Sequence, residues 1–99
     1  MIPQIQPWID GEELEQLKRV IDSTFVTEHK LTEEFEEITK ELTGSKHAIS
    51  MFNGTVALYS CLKALEIGAG DEVIVPNITF IATANAVLMT GAKPVFCEI

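Results

Sequence analysis

Cationic side chains are scarce in this sequence: seven Lys and Arg stand against fifteen Asp and Glu, a formal charge of −8. That balance excludes nucleic acid as a partner, because gripping a phosphate backbone takes clustered Lys and Arg. Cysteine is sparse too. Cys61 and Cys97 lie in apolar stretches with no short metal-ligand spacing, and both are expected as reduced, buried core residues of a cytoplasmic protein. His29 and His47 have no carboxylate or Cys at ligand spacing, so no metal site is expected. No basic segment precedes an apolar run at the N-terminus, and no apolar run reaches the length of a bilayer. A secretory leader and a membrane anchor are therefore not expected. In that setting the glycosylation-like triplets Asn53-Gly54-Thr55 and Asn77-Ile78-Thr79 are read as chance matches.

Apolar residues, by contrast, are plentiful. They make up 46% of the 99 positions, too many for a disordered tail. A chain of this length is one small domain or a piece of a larger one, and it closes only a limited core by itself. Pro3 and Pro7 make the opening an extended arm. Asp10 is expected to cap a helix running to about Asp22, with Leu14, Leu17, Val20 and Ile21 on one face. Thr32 is expected to cap a second helix with Phe35, Ile38 and Leu42 along its apolar side, stopped by Gly44. Residues 1–46 thus form an arm and two helices.

From position 47 the hydrophobic period changes. Ala48 to Phe52 reads as a strand, and Thr55 opens a helix to about Ile67. The turn Gly68-Ala69-Gly70-Asp71 leads into a strand, Glu72 to Val75, closed by Pro76. A helix from Thr79 or Phe80 to Thr90 follows, ended by Gly91, and Lys93 to Ile99 is a third strand. Residues 47–99 therefore read as an incomplete βαβαβ portion of an α/β fold with a mostly parallel sheet. A parallel sheet is covered on both faces, and these elements close it poorly. Further polypeptide beyond Ile99 is expected.

Two loops could carry chemistry. Phe52-Asn53-Gly54-Thr55-Val56-Ala57 takes a strand into a helix, with Gly54 permitting a sharp turn and close approach to a ligand. The first helical N–H groups there, backed by the helix dipole, suit a phosphate, and Thr55 adds a hydroxyl. An ordinary turn with Thr as its cap uses the same residues, and the local pattern by itself favours that plainer reading. The second loop, Pro76 to Ala86, sits after a strand at the edge where open α/β sheets place ligands. Phe80 could stack on a planar ring there, with Thr79, Thr83 and Asn85 offering hydrogen bonds; taken alone, Phe80 is better read as core. Gly68-Ala69-Gly70 follows a helix and precedes a strand, the wrong order for a dinucleotide fingerprint. None of the six lysines stands in a context that marks a Schiff-base role.

Together these segments resemble the DegT/DnrJ/EryC1/StrS family of sugar aminotransferases, which have the aspartate aminotransferase (fold type I) architecture. The resemblance runs from Ile2-Pro3 to Phe96. Its most specific parts are Glu33-Glu34-Phe35-Glu36, Lys46-His47-Ala48, Asn53 to Leu58, Gly70 to Pro76, Thr79 to Ala86 and Gly91 to Phe96. The resemblance implies that this is the N-terminal part of the large domain that binds pyridoxal 5'-phosphate (PLP). Asn53, Gly54, Thr55 and Val56 would hold the PLP phosphate, with Asn53 where the family usually has Ser, and Phe80 would pack on the pyridine ring. The loop from Phe25 to Lys30 would lie near the sugar substrate, which makes Phe25, Thr27 and His29, with Thr83, candidate substrate-binding residues. The family loop usually reads Trp-Leu-Thr-Gln-Gly-Pro, and its Gly and Pro are missing here.

By the same resemblance, an amino acid, usually glutamate, donates nitrogen to a keto-sugar nucleotide in amino-sugar or polysaccharide biosynthesis, and the enzyme is a homodimer. The family's Schiff-base Lys, and the Asp that pairs with the pyridine nitrogen, lie beyond position 99. The chain is expected to hold no catalytic residue of its own. Two alternatives remain open: a PLP-dependent sugar dehydratase of the same fold, in which His replaces that Lys, and a free-standing α/β module that binds a phosphorylated ligand without catalysis.

Overall fold

The structure is a computed structural model that describes residues 2, 3 and 5–99. The chain divides into two units, Met1–Ala48 and Ile49–Ile99.

The first unit contains two amphipathic helices, α1 (Gly11–Ser23) and α2 (Lys30–Thr43). The start of α1 is a capping box. Asp10 Oδ1 accepts the Glu12 N–H at 2.9 Å, and a Glu13 carboxylate oxygen accepts the Asp10 N–H at 2.9 Å. Glu12 and Glu13 in the first turn also complement the helix dipole. The start of α2 departs from expectation. His29, not Thr32, is the cap: its extended backbone leaves its carbonyl to accept the N–H groups of Thr32 and Glu33 at 2.8 and 3.2 Å. Thr32 therefore lies already inside the helix. Gly44, in the left-handed region at φ 68°, ends α2 as expected. Arg19 of α1 and Glu34 of α2 form an exposed ion pair at 3.3 Å, of a kind that contributes little to stability. Neither helix buries a residue, and Leu14, Leu17, Ile21, Phe35, Ile38 and Leu42 are all exposed. Among the described residues of this unit, nothing buries either apolar stripe.

In the second unit the elements run α3 (Gly54–Ala64), β1 (Glu72–Pro76), α4 (Ala82–Thr90) and β2 (Lys93–Cys97). Strands β1 and β2 pair in parallel, with Glu72 opposite Lys93 and Pro76 opposite Cys97, so β1, α4 and β2 form one βαβ unit. Val75, Val87 and Ala92 form its small core, with Leu62, Ile67 and Val73 packed around them. The alternation of β1 sends Val73 and Val75 inward and leaves Ile74 73% exposed on the opposite face. That second face is the one a closed parallel sheet would cover.

Several expectations are corrected here. Residues 48–52 take no part in the sheet, which consists of β1 and β2 alone among the described residues. Their strand-like pattern lacks the paired neighbour that turns an extended segment into a strand. The helix expected to reach Ile67 stops at Ala64, because Ile67 N–H turns back to the Leu62 carbonyl at 3.0 Å and Glu66 adopts φ 61°. Helix α4 starts at Ala82 rather than Thr79 or Phe80, and β2 ends at Cys97 rather than Ile99. Cys61 and Cys97 are exposed, not core, although Leu62 beside Cys61 packs on the core. Among the described residues no helix is long and apolar enough to cross a membrane, and no cluster of His, Cys, Asp or Glu is arranged to hold a metal.

Candidate active site

The direction of α3 and α4 brings the two candidate loops of the second unit to one end. The two helices pack against each other. Their C-terminal ends meet: a side-chain carbon on Gly68 would stand 3.6 Å from the Thr90 carbonyl oxygen, and one on Gly91 would stand 3.6 Å from the Ala69 amide nitrogen. The turn between α3 and β1 is tied at that same end by Asp71, which accepts the Gly68 N–H at 2.8 Å and, through its carbonyl, the Lys93 N–H at 2.9 Å. Strand β1 runs away from this end and α4 runs back to it. The start of α3, the carboxyl end of β1 and the start of α4 therefore share the opposite end, where open α/β sheets hold ligands.

At the start of α3, Asn53 is the cap, with extended backbone and its Oδ1 accepting the Val56 N–H at 3.0 Å. The Ala57 N–H bonds to the Asn53 carbonyl at 3.1 Å. Gly54 and Thr55 supply the other two N–H groups of the first turn, which no helix carbonyl can reach. No acidic residue stands in this first turn, in contrast to α1 and α2. Gly54 needs no left-handed conformation, so the sharp turn expected of it is not its role. What it leaves is space, for a side-chain carbon there would meet nothing within 4 Å. Thr55, expected as the first helical residue or the cap, is the second residue of α3. The capping role of Asn53 went unread in the sequence, although Asn is among the strongest N-cap residues and was the available signal.

Beyond β1, Phe80 is 72% exposed and is not part of the core of this unit. The hydroxyls of Thr79 and Thr83 are 3.0 Å apart, which links the loop to the first turn of α4.

The other substrate candidates fall in the first unit, around an open cleft of about 620 Å³ between α1 and α2. Phe25, Thr27 and His29 line it together, and the rings of Phe25 and His29 stack with centroids 4.5 Å apart and planes tilted by 31°. Arg19 and Glu34 also line it. Glu34 stands in the Glu33-Glu34-Phe35-Glu36 segment of the family resemblance, but nothing in the sequence marked its pairing with Arg19, because a pair 15 positions apart on different helices leaves no periodic trace. Thr83 belongs to the second unit and does not line this cleft.

The model of the DegT/DnrJ/EryC1/StrS aminotransferase family matches residues 7–99. The chain belongs to this family. It is 45% identical to a GDP-perosamine synthase of Vibrio cholerae over its whole length, which is 27% of that protein. An aminotransferase from Psychrobacter cryohalolentis, known as an X-ray structure, is 42% identical and superposes with a TM-score of 0.84 over 95% of this chain and 25% of its own. The Spr1654 protein of Streptococcus pneumoniae, described as a putative sugar aminotransferase, is 33% identical in its PLP-form. Its TM-score is 0.89 over 99% of this chain and 25% of its own. The α/β fold expected from the sequence is thus that of PLP-dependent aminotransferases, and the chain spans about a quarter of the length of the relatives it matches.

Proposed function

We propose that this chain forms the N-terminal part of a PLP-dependent sugar aminotransferase and supplies the phosphate-holding end of its cofactor site. The observation that carries this reading is the start of α3. There Asn53 occupies the Val56 N–H and leaves the N–H groups of Gly54 and Thr55 beside open space at Gly54. Two such donors, with the Thr55 hydroxyl and an uncharged first turn, suit a phosphate dianion. The exposed ring of Phe80, at the same end of the unit, offers an apolar face to the flat pyridine.

When bound, PLP carries the amino group between substrates and acts as the electron sink of the reaction. The part of this chain is to bind and orient. Gly54 and Thr55 would hold the phosphate, Phe80 would fix the plane of the ring, and no side chain of this chain is assigned to move a proton. Phe25, Thr27 and His29 would meet a keto-sugar nucleotide in the cleft of the first unit, and Thr83 would add a hydroxyl near the cofactor. The amino donor would be an amino acid, with glutamate the first to test, and the working enzyme a homodimer in the cytoplasm.

Similarity to a GDP-perosamine synthase over the full chain at 45% identity favours amino transfer over dehydration. The test is to purify the intact protein from its natural source, determine its mass, and incubate it with glutamate and GDP-linked keto-sugars. Amine incorporated into the sugar, with an equal amount of 2-oxoglutarate formed, is expected. Loss of water without nitrogen transfer would instead identify a dehydratase. A native chain ending at Ile99 that binds PLP or phosphate without turnover would leave a non-catalytic binding module.

A further inference from the structure

We draw no further inference here: the strongest candidate, the open cleft between α1 and α2 lined by Arg19, Phe25, His29 and Glu34, belongs to the substrate loop already described, and nothing in the structure shows what covers it.

Discussion

Asn53 holds the Val56 N–H at 3.0 Å through a neutral amide oxygen, whereas Asp10 makes the corresponding cap of α1 with a carboxylate. Both residue types cap helices well. Only the neutral one leaves the helix start attractive to a second, external anion. Substituting Asn53→Asp in the intact protein should therefore keep the thermal midpoint of the cofactor-free form while weakening PLP about tenfold or more, since a new negative charge would stand a few ångströms from the phosphate. Pyridoxal, which lacks the phosphate, should bind as before. Equal affinity of Asn53→Asp and the unaltered protein for PLP would remove the phosphate from this helix.

Gly54 provides a separate check. Its backbone is not left-handed and its surroundings are open, so Gly54→Val should fold normally. The added methyl groups would occupy the space assigned to the phosphate. PLP affinity should fall about tenfold or more, as measured by fluorescence titration, with a thermal midpoint within a few degrees of the original. Unchanged affinity would assign the open space to something else.

The exposed ring of Phe80 should act on the cofactor and not on the fold. Phe80→Ala is expected to loosen PLP several-fold and to shift its absorbance, while Phe80→Tyr retains both. A spectrum and affinity identical to those of the unaltered protein would show that Phe80 packs on polypeptide.

Asp10 makes stability depend on acid. The Glu12 N–H, and after it the Trp8 indole, hold its carboxyl below the ordinary value for Asp. The folded value is thus lower than the unfolded one, so the contribution of the cap is complete above the unfolded value of about 3.9 and is lost as pH falls through the lowered folded value. Backbone chemical shifts of residues 11–23 should stay helical from neutral pH down to about 4 and relax below it. Asp10→Asn should flatten that dependence, and an unaltered acid limb in the variant would place its cause elsewhere.

Val87, at 1% exposure, is the largest side chain fully buried in the described part of the chain. Val87→Ala should cost about 2 kcal/mol through lost burial and the cavity left behind, measured by denaturant unfolding of the intact protein. A loss below about 0.5 kcal/mol would mean that the βαβ core is relaxed enough to close over the gap.

The sequence by itself determined the features whose partners lie within a few residues. The cap at Asp10, the stops at Gly44 and Gly91 and the turn after Gly68 all depend on hydrogen bonds spanning two to four positions, which local composition encodes directly. The ordered motifs from Glu33 to Phe96 carried the family as well, because each holds its own spacing. Tertiary structure decided what depends on distant partners. The segment 48–52 has the pattern of a strand but no place in the sheet formed by the described residues, and Cys61 and Cys97 have apolar neighbours in sequence yet are themselves exposed. Only the packing of α3 on α4, with their C-terminal ends together, brings Asn53 and Phe80 to the same end of the sheet. The physical reason is the reach of the interactions: a cap is settled by the adjacent backbone, whereas burial and strand pairing are settled by chain that lies far away in sequence.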